Sequence, residues 1–129
     1  MASVFSKIIA RELPGNFVWE DEESVAIMTI APLKKGHVLV IPKQEVDHWY
    51  DLPDATIAHL SVVSKKVAKA MQQAFPATRV AVIIAGLEVP HTHLHLIPMD
   101  EMQELDFANA KPAEADDLAR YAEKIKAYL

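Results

Sequence analysis

Cysteine is absent from the 129 residues, which excludes disulfides and thiolate metal sites and fits a reducing compartment. No run approaches the ~20 apolar residues needed to cross a bilayer. The opening stretch from Met1 to Pro14 mixes charged and apolar residues and lacks the apolar core of a secretory signal. A cytoplasmic protein that does not associate with membranes is therefore expected. Basic residues are in the minority, 13 Lys and Arg against 18 Asp and Glu, for a net charge of −5. That balance excludes a broad nucleic-acid-binding face, because such binding depends on Lys and Arg neutralising phosphates. A local pocket for a small anion is still permitted. Internal repeats and low-complexity tracts are also missing. The length and the 51% apolar content predict a single domain over residues 1–129 with its own core.

The chain reads as a short helix over Val4 to Ala10, stopped by Pro14-Gly15, then strands over Phe17 to Glu20 and Val25 to Ile30 joined by an acidic turn. After a Pro- and Gly-containing loop, His37 to Pro42 is a third strand, β-branched and closed by proline. From Pro53 to Phe75, Ile57, Leu60, Val63, Val67, Met71 and Ala74 recur every three or four residues, the spacing of a long amphipathic helix. Arg79 to Ala85 is an almost continuous apolar run, as in a central strand covered on both faces, and Ala113 to Leu129 reads as a terminal helix. The elements predict an α+β fold, with about five mainly antiparallel strands, one long helix, a short N-terminal helix and a C-terminal helix.

His91, His93 and His95 alternate with Thr92, Leu94 and Leu96. In a strand, alternate side chains face opposite sides, so the three imidazoles share one face while the other residues enter a core. Zinc on paired histidines is one reading of such a row. Against a three-histidine site, positions 91 and 95 lie about 13 Å apart at the ~3.3 Å rise of a strand, and no fourth ligand is evident. The other reading is chemistry on a phosphate, in which a neutral ring attacks phosphorus while its neighbours hold the non-bridging oxygens. Crowded imidazoles disfavour one another's charged forms, which keeps the central ring neutral.

His91-Thr92-His93-Leu94-His95-Leu96-Ile97 resembles the signature of the histidine triad (HIT) family, and the likeness continues upstream. It takes in Phe5 to Ile9, Val25-Ala26-Ile27, Ala31-Pro32 and Gly36 to Lys43, and is strongest over residues 4–98, leaving 99–129 as a C-terminal extension. The resemblance implies a HIT-like fold, a homodimer whose two sheets join, and hydrolysis of a nucleotide phosphoanhydride or phosphoramidate at the α-phosphate without a cofactor. His93 would form a nucleotidyl-histidine intermediate. His91 and His37 would orient the cluster, and His95 would contact phosphate while its backbone carbonyl fixes the His93 tautomer. Phe5, Ile8 and Ile27 would form the base pocket for a purine nucleotide or nucleoside phosphoramidate. An alternative is a nucleotide- or partner-binding relative with little turnover, and a third reading is a metalloprotein using two of the triad histidines.

Several positions depart from the family pattern. Thr29 stands where relatives often carry an acidic residue for the ribose hydroxyls, and Leu87 stands where they carry glutamine. Glu88 places negative charge near an anion site, which suits an exposed turn or an amine leaving group. Ser3 and Ser6 replace cysteines that bind structural zinc in some relatives, so no metal is expected there. His48 reads as exposed beside packed aromatics, His59 as structural, and Lys34 and Lys35 as solvated loop charges.

Overall fold

The computed structural model describes residues 2–129. Helix α1 (Val4–Ile9) leads into strands β1 (Phe17–Glu20), β2 (Ser24–Met28) and β3 (Val38–Pro42). Helix α2 (Asp54–Ala74), strands β4 (Arg79–Ile83) and β5 (Leu94–Met99), and helix α3 (Ala115–Lys126) complete the chain. The sheet order is β1-β2-β3-β5-β4, and every neighbouring pair is antiparallel. The crossover through α2 carries the chain from β3 past one strand position to β4, and β5 then returns into the gap. Fold class and elements match the expectation of an antiparallel α+β sheet with three helices.

Side-chain alternation builds two apolar layers. Ala26, Met28, Val38, Val40, Leu94 and Leu96 face α2 and α3, where they meet Leu60, Val63, Val67, Met71, Leu118 and Ile125. Each such fully buried large side chain contributes about 1.5–3 kcal/mol through burial. On the opposite face Val25, Ile27, Leu39 and Ile41 pack with Phe5 of α1, and Ile8, Phe17 and Val89 lie at the margin. Odd-numbered positions of β3 therefore project to the α1 face, and His37 extends that set.

Two sequence readings need correction. The apolar run at β4 does not form a central strand: among the described residues β4 is an edge, hydrogen-bonded only to β5, and its Val82 is 55% exposed. An uninterrupted apolar run has the same composition whether it lies inside a sheet or at its rim. The histidine strand also begins later than expected, because His91, Thr92 and His93 precede the ladder that starts at Leu94. Thr92 is instead held by the segment after β3, its N–H and hydroxyl both donating to the Val46 carbonyl at 2.8 Å. No helix among the described residues is long and apolar enough to cross a membrane.

Candidate active site

A cavity of about 710 Å³ opens on the α1 face of the sheet. Phe5 and Ile8 reach it from α1, Ile27 and Thr29 from β2 and its end, His37 from just before β3 and Leu39 from within it, and His93 from just before β5 and His95 from within it. Glu88 and Val89 enter from the preceding loop, and Phe107, Ala110, Ala115 and Leu118 from the C-terminal segment. Of the sequence-derived candidates, His91 alone stays behind the wall of the cavity. Gly36 turns the chain into His37 at φ +89, and a side chain there would run into the Phe75 ring, so this turn requires glycine.

Hydrogen bonds fix each imidazole in one tautomer, because backbone N–H groups only donate and carbonyls only accept. Leu33 N–H donates to His37 Nδ1 at 3.1 Å, so His37 carries its proton on Nε2 and gives it to His95 Nδ1 at 2.9 Å. His95 then presents Nε2–H, a buried donor without a partner. His93 donates from Nδ1 to the His91 carbonyl at 2.7 Å, leaving a lone pair on Nε2. His91 donates from Nε2 to the Pro42 carbonyl at 2.8 Å and accepts from the Ser3 hydroxyl at 2.7 Å. The carbonyl that sets the His93 tautomer is therefore that of His91 and not that of His95, as the resemblance had implied.

Three rings of the cluster, His37, His91 and His95, are held neutral. Burial pushes His37 down to about 3, with His95 adding to the effect. Burial also lowers His95, to about 4, His93 reinforcing the shift and Glu88 opposing it. His91 is lowered by burial against the opposing pull of the Pro42 carbonyl and Glu45. The free lone pair that hydrogen bonding leaves on His93 Nε2, beside the free N–H of neutral His95, sets a nucleophile next to an electrophilic donor.

Further residues complete the site that sequence reasoning did not single out. Glu45 accepts from Ser3 N–H at 2.7 Å and from the Ser6 hydroxyl at 2.6 Å. These bonds clasp α1 to the segment after β3 and thereby seat Phe5 edge-on against His93, with ring centroids 4.9 Å apart. Phe107 meets His95 edge-on at 4.8 Å from a 3₁₀ turn in what reads as a polar connection. Asn16 lines the cavity with Thr29, and its carbonyl accepts from Met28 N–H. Nothing in the sequence marks a lone Asn in a turn or a Phe in an acidic linker, since both reach the site only through tertiary contact.

Quieter positions are also placed. His48 is exposed and stacks on Tyr50, and His59 bonds Asp21 at 2.8 Å, tying α2 to the β1–β2 turn. Lys34 pairs with Glu104, which links the loop before His37 to the C-terminal segment. Leu87 is 92% exposed and does not line the cavity. Glu88 lies with a carboxylate oxygen 3.8 Å from His93 Nε2.

Comparison with known proteins gives a consistent result. A family model described as the HIT domain matches residues 10–102. An uncharacterised HIT-like protein of Methanocaldococcus jannaschii is 31% identical over 123 residues, covering 91% of this chain and 95% of that protein. An adenosine 5'-monophosphoramidase of Saccharomyces cerevisiae is 37% identical over 98 residues, covering 75% of this chain and 62% of that protein. The crystal structure of a HIT-like protein from Bartonella henselae superposes with a TM-score of 0.88 at 32% identity, covering 98% of this chain and 96% of that one.

Proposed function

This chain belongs to the histidine triad family, and from that membership we propose that it hydrolyses a nucleoside phosphoramidate or nucleotide phosphoanhydride at the α-phosphate through His93. The observation that carries the reading is the pair of unlike nitrogens at the cavity wall, the His93 Nε2 lone pair and the His95 Nε2–H, on rings whose centroids are 5.1 Å apart. The lone pair attacks phosphorus and the P–N or P–O bond to the leaving group breaks, the departing group taking its proton from solvent. The His95 N–H holds a non-bridging oxygen, and the His91 carbonyl stabilises the positive charge that develops on the His93 ring. Water then attacks the nucleotidyl-His93 phosphorus, the P–N bond to the ring breaks, and the nucleotide leaves. Phe5, Ile8 and Ile27 supply an apolar slot for the base, and Thr29 with Asn16 offers polar groups for the ribose. The similarity to a yeast adenosine 5'-monophosphoramidase supports a purine nucleoside phosphoramidate as the substrate class.

Two rivals are weighed by the same geometry. Glu88, His93 and His95 form a group of metal-ligand type. Ligation through His95 Nε2 needs its lone pair, which would reverse the tautomer of His37 and set a ring N–H against the Leu33 N–H. The hydrogen-bond chain therefore opposes a metal at this group. A binding protein with little turnover is favoured by Leu87, whose outward position leaves the phosphate site without a polar side chain from that residue. Steady-state hydrolysis of adenosine and guanosine phosphoramidates in the presence of a chelator decides between these readings. Turnover that survives the chelator is expected, whereas nucleotide affinity without turnover would establish the binding reading and activity lost to the chelator the metal one.

The homodimer belongs to the same proposal. An apolar, half-exposed edge strand with its outer hydrogen-bonding groups free is a surface that proteins ordinarily cover. Val82 at β4 offers such an edge, and pairing two copies there joins the two sheets. Sedimentation equilibrium at micromolar protein is expected to give twice the chain mass, and the mass of one chain would contradict it.

A further inference from the structure

Among the described residues no Lys or Arg lines the cavity, and Glu88 is the one Asp or Glu there, while His37 and His95 are held neutral. Lys34, in the loop before His37, is engaged by Glu104. A site for a phosphate therefore has a carboxylate at its mouth and, among the described residues, no lysine or arginine to offset it. Glu88 is 58% exposed while the His93 side chain beside it is 3% exposed, so the carboxylate stands where the reacting end of a substrate meets solvent. Its position is set locally: Gly86 turns the loop at φ +76, and His91 N–H closes on the Val89 carbonyl at 2.8 Å, anchoring the residues on either side of the glutamate.

Resting on the function proposed above, we propose that Glu88 selects the leaving group by charge: it favours amines, above all those carrying a further cation, and opposes phosphate and polyphosphate leaving groups. A phosphorus poised for attack lies ~3–3.5 Å from His93 Nε2, and its leaving group begins one bond further out. A charge on that group is then roughly 6 Å from the carboxylate. At that distance one unit charge changes the interaction by a factor of about three in water and about a hundred at an effective dielectric constant of ~20. A cationic amine and a terminal phosphate differ by three charges on the leaving-group side of the scissile bond, so a modest field separates them well. The effect acts on the leaving group and leaves base and ribose recognition to the far end of the cavity.

The test compares three leaving groups on one nucleoside: the adenosine 5'-phosphoramidates of singly protonated ethylenediamine and of propylamine, which match in size, and ADP, all with chelator. For the wild-type protein kcat/KM is expected to fall in that order. Glu88→Gln, which keeps the size and removes the charge, is expected to lower the ratio of the cationic amine to ADP at least tenfold, while Glu88→Asp retains most of it. A Gln variant that scales all three substrates by one factor would overturn the proposal, since a structural role for Glu88 predicts that result. If wild type turns over none of them, the proposed function falls, and calorimetric affinities for the same compounds carry the comparison. Charge-ordered affinities flattened by Glu88→Gln would then uphold the selection, and affinities indifferent to charge would overturn it.

Discussion

Replacement of His93 by alanine is expected to reduce kcat for an adenosine phosphoramidate about a thousandfold or more, with the fold retained. The size of the effect follows from the division of labour in the cluster. His93 Nε2 is the one imidazole nitrogen at the cavity with a free lone pair, because His37 Nδ1 is occupied by Leu33 N–H, His95 Nδ1 by His37, and His91 Nδ1 by Ser3. No neighbouring ring can take over without rearranging a chain of fixed donors and acceptors. His95→Ala is expected to cost less, since it removes one donor to a non-bridging oxygen and leaves the nucleophile in place; loss of such a donor typically costs about 10²–10³-fold. Steady-state kinetics of both variants, with thermal unfolding to verify folding, checks the order. A His93 variant that retains more than a tenth of wild-type turnover would exclude nucleophilic catalysis by this ring.

Stability is expected to fall steeply as the pH drops below about 6.5, well before carboxylates titrate. The folded-state pKa values of His37 and His95 are depressed to about 3 and about 4, and that of His91 is lowered as well. In the unfolded chain the same groups protonate near ~6.5. Above that value neither state binds these protons and the histidines leave stability independent of pH. Between ~6.5 and the depressed values the unfolded state binds more protons, so stability is lost as pH falls, at up to about 1.4 kcal/mol per pH unit for each histidine and about 4 for the three together. A domain of ordinary stability, about 5–15 kcal/mol, therefore loses much of its margin within two units. Asp21 adds a second loss at lower pH. Burial raises its carboxyl, but hydrogen bonds from Trp19, Glu23 N–H, His59 and Ser24 N–H outweigh that and hold it below the usual carboxylate range. Its contribution is present above ~3.9 and disappears as pH falls further. Urea unfolding followed by tryptophan fluorescence from pH 7.5 to 4.5 checks this, and an unfolding free energy that stays flat from pH 7.5 to 5 would contradict it.

Where burial follows a period, the sequence is legible. Val25 and Ile27 against Ala26 and Met28, or Leu94 and Leu96 against His93 and His95, sort to opposite faces because a strand alternates. The 3–4 spacing from Ile57 to Ala74 yields α2 to within a residue of its observed ends. What the pattern does not encode is which neighbour lies beyond an element, and β4 shows this: Arg79–Ile83 has the composition of an interior strand and sits at the rim. The cavity follows the same rule. Phe5, Ile8, Ile27, Thr29, Glu88, His37, His93 and His95 line one space. Phe107, Asn16 and the Ser3–Glu45 clasp depend on contacts between distant segments that no local spacing signals. The tautomers lie deeper still, since they hang on which carbonyl and which amide face each ring.

Rapid acid- or base-quenched mixing of wild-type protein with an adenosine phosphoramidate, followed by peptide mass spectrometry, tests the central claim most directly. The account predicts a transient mass increase of one adenylyl group on the peptide containing His93, formed and discharged at rates that match steady-state turnover and absent from the His93→Ala protein. Turnover in which no histidine ever carries the adenylyl group, or in which the group appears on a residue other than His93, would contradict it.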